Sequence, residues 1–139
     1  MKARCACGKL SADLPDIPVN PVACHCLDCQ RRTGSAFAVG VVFPKDSIVV
    51  TGDSREYIRA TASGGHCRMY FCPECGTTVY WYSDKFPNVV GVGVGTISDP
   101  KLPAPVRSVW EQTKHDWVDI ESAIEHFPKG KTPNKPAQT

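Results

Sequence analysis

The chain has 139 residues, 42% hydrophobic and 22% charged, with twelve prolines, eleven glycines, eight cysteines and a formal charge of +2. These values exclude a collagenous fibre and a wholly disordered chain, and they lack the strongly basic balance that would argue for nucleic acid or an anionic membrane as partner. They fit one packed domain, expected over residues 1–127, followed by a flexible tail over 128–139.

No run approaches the roughly 18 apolar residues that cross a bilayer, and the opening MKARCACGKLSADLPDIPV holds no apolar stretch of signal-peptide length, so the expected compartment is the cytoplasm. Taken in chain order, Cys5-Ala6-Cys7-Gly8 comes first and Cys24-His25-Cys26-Leu27-Asp28-Cys29 second. Residues i and i+2 of an extended segment face the same way, so each C-x-C is expected to present two sulfurs in one direction. Leu27–Thr33 predicts a short helical turn that ends at Gly34, a residue suited to the left-handed position after a helix. Beyond it the chain is β-rich. Ala36–Phe43, Ser47–Val50, Glu56–Ala60, Cys67–Phe71, Thr77–Tyr82 and Val89–Gly93 are short runs enriched in β-branched and aromatic residues and separated by turn signals. Tyr80 and Tyr82 should share one face of their strand and Trp81 the other. The glycines of Val89–Gly95 predict close backbone approach rather than a phosphate loop, because no helix pattern or Gly-Lys-Ser/Thr follows. Val106–Trp110 adds a strand, and Asp119–His126 predicts a short terminal helix with an acidic N-cap. The closing PKGKTPNKPAQT has too little apolar content to offset the cost of ordering. The fold class is therefore all-β with a minor helical part.

The cysteines fall as C-x-C, C-x-C-x-x-C and C-x₄-C-x-x-C. An even number would also suit a secreted disulfide scaffold, but a chain of this size with no export signal points to metal-binding thiols. A tetrahedral Zn²⁺ needs four ligands. Cys5 and Cys7 can meet Cys72 and Cys75, whose knuckle is closed by Gly76, in a sealed structural site. Cys24, Cys26 and Cys29 are three thiols with no fourth cysteine in the motif. That pattern suits an open, catalytic zinc, or a second structural site completed by Cys67, His25 or His66. Cys67 otherwise reads as a small core residue.

Cys5-Ala-Cys7-Gly8, the run Cys24 to Ser35, Phe71-Cys72-Pro73-Glu74-Cys75-Gly76 and the later Trp110, His115 and Trp117 resemble the glutathione-dependent formaldehyde-activating enzyme family, which includes centromere protein V. The resemblance runs from Cys5 to about Trp117. It implies a β-tent fold, two zinc-stapled antiparallel sheets with short peripheral helices. It also implies a structural zinc at Cys5, Cys7, Cys72 and Cys75, a second zinc at Cys24, Cys26 and Cys29, and the joining of glutathione to formaldehyde, formally a carbon–sulfur lyase reaction in reverse.

For such a reaction the need is a thiolate near neutral pH. A free thiol has a pKa near ~8.5 and loses its proton on coordinating Zn²⁺, so thiol chemistry suits a three-thiolate site better than water activation. Cys26 and His25 are the expected catalytic residues. His25, between two ligands, should point away from the sulfurs and act as proton relay, as hydrogen-bonding support or as plain structure. Arg31 and Arg32 could receive the carboxylates of glutathione or form a solvated helix face; lying about 100° apart on a helix, they do not both aim easily at one small ligand. Ser35 could donate to an oxyanion or cap its turn. Trp110, His115 and Trp117 are candidates for pocket walls. The rival function is a zinc-stabilised module that binds protein or nucleic acid.

Overall fold

The computed structural model describes residues 1–123 and 125–131, and the chain forms two compact units, Met1–Val19 with Val41–Pro100 and Asn20–Gly40 with Lys101 onward. The protein is mostly β, its strands arranged in two sheets, with few and short helices. No helix among the described residues is long and apolar enough to cross a membrane.

In the first unit, β1 (Lys2–Arg4), β2 (Ser11–Asp13) and β5 (Val49–Thr51) form a small antiparallel sheet in the order β1-β2-β5. Ala3 faces Ala12, and both are fully buried. β1 and β2 are too short for any alternation to announce them; pairing makes them strands. Beside them the carboxyl half of β4 (Ala38–Pro44) starts the order β4-β9-β8-β7-β6, with β9 Val89–Gly93, β8 Thr78–Ser83, β7 His66–Phe71 and β6 Arg55–Ala60. Val41, Phe43, Val79, Val90 and Val92 make its core. Each expected strand from Ala36 to Gly93 is present, its ends shifted by two residues or fewer.

Gly91 answers the close-approach expectation. A Cβ there would lie 2.1 Å from Trp81 Nε1, so only hydrogen leaves room for the indole. On the opposite face of β8, Tyr80 and Tyr82 meet edge to face at 6.0 Å, and Tyr70 stacks on Tyr80 at 4.8 Å. Cys67 is buried on β7 as a core residue. A short helix α2 (Val94–Ile97) follows β9, where only a strand end was expected; Thr96 Oγ1 donates to Gly93 O and closes its first turn.

In the second unit, β3 (Val22–Cys24) lies between the start of β4, antiparallel, and β10 (Arg107–Val109), parallel. Helix α1 (Leu27–Thr33) leaves β3 with Cys26 as its N-cap, and Gly34, at φ 65°, donates to Gln30 O as the sequence requires. A 3₁₀ turn, Glu111–Thr113, follows β10. The terminal helix expected over Asp119–His126 is not formed among the described residues. The chain turns and then adds β11 (Glu125–His126) parallel to β10. Partners distant in sequence override the local helix preference: Arg107 binds Glu125 at 2.9 Å, Ser122 donates to Pro105 O, and His126 bonds Glu111. The first residues of the expected tail are pinned, Pro128 O and Lys129 O accepting from Gln112 and Trp110. Residues 132–139 lie outside the described part.

Candidate active site and metal centres

Cys5, Cys7, Cys72 and Cys75 bring their sulfurs within 4.8 Å of one another. Cys5 and Cys7 are not in a strand as expected. They sit in a tight turn, with Gly8 N–H donating to Cys5 O and Gly8 at φ 82°, and the turn brings their Sγ atoms to 3.6 Å. Across 65 residues of chain, Cys7 Sγ reaches Cys72 Sγ at 3.7 Å. The Cys72–Cys75 knuckle closes through Gly76, whose N–H donates to Cys72 O and whose φ of 77° suits glycine. Sulfurs placed ~2.3 Å from a tetrahedral Zn²⁺ would stand about 3.8 Å apart, so the observed separations fit a four-thiolate metal site. The charges point the same way. The Thr77 hydroxyl holds the Cys75 thiol down at about 5, whereas Cys7, lowered by a Lys9 backbone bond, is pushed by burial and by Cys5 and Cys72 up to about 11. Such a cluster cannot carry four negative charges without a cation.

Cys24, Cys26 and Cys29 form a second group, again with sulfurs within 4.8 Å, and no fourth Cys, His, Asp or Glu joins it among the described residues. Cys24 ends β3, Cys26 caps α1 by accepting from Cys29 N–H at 3.3 Å, and Cys29 stands in the first turn. The Cys24 thiol is pushed strongly up by hydrogen bonds with Cys26 and Cys29 and then by burial. Cys29 is lowered by its bond with Cys24, but Cys26 and burial carry it up to about 11. Three half-buried sulfurs that resist ionising together are matched to a divalent cation, which both cysteine groups can hold.

His25 is fully buried beside Phe37, with Nε2 2.8 Å from Ser108 Oγ and, among the described residues, no hydrogen-bond partner for Nδ1. Burial lowers its pKa. Its backbone is held on both sides: its N–H donates to Val109 O, and its carbonyl accepts from Gln30 Nε2 at 2.9 Å and Thr113 Oγ1 at 2.8 Å. The segment carrying Cys24 and Cys26 is thus tied to β10 and the 3₁₀ turn.

Leu27, Gln30 and Arg31 of α1, with Gly34, Ser35, Ala36, His115 and Trp117, line an open concavity of about 540 Å³. Arg31 and Ser35 are therefore at the concavity, whereas Arg32 is not among its walls, in keeping with the ~100° between neighbouring helical residues. His115 and Trp117 take the wall positions that the sequence suggested, with ring centroids 5.7 Å apart; Trp110 caps the 3₁₀ turn instead. Gln30 went unremarked in the sequence. Its amide donates to His25 O and Thr113 O, and its Oε1 lies 3.0 Å from His115 Nε2. Partners 83 and 85 residues away leave no trace in local spacing.

A family model described as glutathione-dependent formaldehyde-activating enzyme matches residues 1–113. A Penicillium rubens protein named "Putative glutathione-dependent formaldehyde-activating enzyme" is 22% identical over 123 residues, which are 83% of this chain and 64% of that protein, so the chain spans less than two thirds of this relative. A crystal structure of a Rhodobacter sphaeroides protein, solved as a structural genomics target, is similar with a TM-score of 0.54 at 20% identity, covering 73% of this chain and 93% of that one; the likeness is one of fold. The chain belongs to the glutathione-dependent formaldehyde-activating enzyme family.

Proposed function

We propose that the protein is a zinc-dependent carbon–sulfur lyase-type enzyme that adds a thiol, glutathione in the first instance, to formaldehyde or a related small aldehyde in the cytoplasm. The observation that carries this reading is the convergence of Cys24, Cys26 and Cys29, three candidate ligands and no fourth among the described residues, at the start of the helix that also walls an open concavity. Zn²⁺ held by these three would supply positive charge that favours the thiolate form of an incoming thiol. Cys5, Cys7, Cys72 and Cys75 would hold a second, structural Zn²⁺.

The chain's own residues bind and orient. Arg31 stands where a guanidinium can pair with a substrate carboxylate, Ser35 adds a hydroxyl, and Trp117, Leu27 and Ala36 give apolar walls for a peptide-like thiol. Arg32, off the concavity, is assigned to the electrostatics of Cys29, whose thiolate it favours. Of the two expected catalytic residues, Cys26 is a ligand and helix cap. His25 keeps Cys24 and Cys26 in place through the bonds of its ring and backbone, with no access to substrate from its buried position.

The test is direct. Holoprotein is mixed with glutathione and formaldehyde, and adduct is followed above the spontaneous rate, with Cys26→Ser in parallel. Acceleration by the wild type alone is expected; equal rates in all samples would remove the activity.

A further inference from the structure

We propose that His115 is the proton-transferring base of the concavity and that Gln30 is its positioning residue, holding the imidazole as the Nε2–H tautomer with Nδ1 left as acceptor. The proposal rests on the thiol–aldehyde reading above and adds a catalytic group that lies beyond residues 1–113, the stretch matched by the family model.

The Gln30 amide fixes the His115 tautomer. Its Nε2 is 2.9 Å from His25 O and 3.1 Å from Thr113 O. Carbonyl oxygens only accept, so the amide NH₂ must face them, and the orientation of Gln30 is fixed by its surroundings. The atom 3.0 Å from His115 Nε2 is then Oε1, which also only accepts. His115 Nε2 must carry hydrogen. Neutral His115 therefore keeps its lone pair on Nδ1, for which no hydrogen-bond partner stands among the described residues. The ring is exposed, lines the concavity with Arg31, Ser35 and Trp117, and packs near Trp117, itself 74% exposed. Its backbone is anchored by the Val118 N–H donating to His115 O at 3.0 Å. His25, the histidine inside the cysteine motif, is buried and offers substrate no such nitrogen.

The step balances without a further reactant. The thiol proton passes to His115 Nδ1 as the sulfur pair forms a bond to the aldehyde carbon; the carbonyl π pair moves to oxygen, which takes that proton back from Nδ1. Thiol and aldehyde become the hydroxymethyl thioether. Gln30 Oε1 holds the Nε2–H while the ring is transiently cationic, and being neutral it does not compete for the proton.

Holoprotein, His115→Ala and Gln30→Ala are compared in two measurements. In ¹⁵N imidazole NMR, wild-type His115 should show a protected Nε2–H and an unprotonated Nδ1; Gln30→Ala should lose the protection. A protonated Nδ1 in neutral wild-type His115 would overturn the assignment. In the glutathione–formaldehyde assay, His115→Ala should lower the catalysed rate by roughly 10²-fold, with partial recovery in added imidazole. Gln30→Ala should lower it by between about tenfold and 100-fold. A wild-type acceleration that His115→Ala leaves intact, or a loss that imidazole does not restore, would sink the base role and leave the enzyme reading standing. Absence of acceleration in the wild type would sink the enzyme reading and the base role together, and the NMR result alone would then decide the tautomer.

Discussion

The pair Glu111–His126 gives the fold a pH signature with a defined sign. His126 Nδ1 is 2.7 Å from Glu111 Oε1, and Nε2 is 3.0 Å from Ala123 O. Both partners are acceptors, so both ring nitrogens carry hydrogen and the ring is a cation facing a carboxylate. The Glu111 hydrogen bond raises the His126 pKa. Burial lifts Glu111, but bonds from His126 and Ser108 outweigh it and leave that carboxyl below its ordinary value. The stability due to His126 is full below the unfolded pKa of about 6.5 and is lost as pH rises through the raised folded value. That due to Glu111 is full above about 4.3 and is lost as pH falls through its depressed value. The pair is therefore strongest between about pH 4.5 and 6.5. The two side chains are 23% and 22% exposed. Charges about 4 Å apart at an effective dielectric of about 20 attract by about 4 kcal/mol, and desolvation takes back more than half, which leaves a coupling of about 1–2 kcal/mol. This exceeds the surface norm of about 0–1 kcal/mol. A double-mutant cycle of Glu111→Gln and His126→Gln, read by urea unfolding, isolates it from the pH dependence of the cysteine groups. Coupling near 1.5 kcal/mol is expected at about pH 5.5, and a fraction of that at about pH 8.5. Equal coupling at both, or a larger one at the higher pH, would refute the assignment of charge.

Elemental analysis of the protein purified in reducing buffer should give two zinc ions per chain. Cys72→Ser, which alters a fully buried sulfur, should lose one and lower unfolding free energy by about 3 kcal/mol or more; Cys26→Ser should lose the other with a smaller cost. Zinc retained in full by either variant would contradict the ligand sets. Gly91→Ala sets a methyl 2.1 Å from the Trp81 indole nitrogen, and a loss of about 3 kcal/mol in chemical denaturation is expected; an unchanged midpoint would mean that the indole moves aside freely.

What could be read from the sequence was what local chemistry dictates. Alternation and turn glycines located β6, β7, β8 and β9 within a residue or two, and Gly34, Gly76 and Gly91 each meet the requirement inferred for them. Cysteine spacing gave both groups whose sulfurs converge, because few other side chains do what a thiolate does. Its geometry was less legible: Cys5 and Cys7 converge through a turn rather than along a strand. The three-residue strands β1, β2 and β3 have no period to detect, and Glu125–His126 became a strand because Arg107 and Glu111 hold it there.

The two histidines show why the candidate site was only half visible. Proton transfer needs a nitrogen that substrate can touch, and sequence distance from the metal ligands says nothing about that. His25 lies between Cys24 and Cys26, yet its ring is packed on Phe37 and bonded to Ser108, where it can orient but not receive. His115 lies 86 residues beyond Cys29, yet Gln30, the neighbour of that cysteine, binds its ring directly. A glutamine at the end of a cysteine motif thus does what no motif records: its two donors tie the 3₁₀ turn to the cysteine segment, and its acceptor sets which nitrogen of a remote histidine carries hydrogen. The conservative change Gln30→Glu should therefore lower the glutathione–formaldehyde rate as Gln30→Ala does, because a carboxylate would face two carbonyl oxygens that it cannot satisfy; a wild-type rate in Gln30→Glu would refute this.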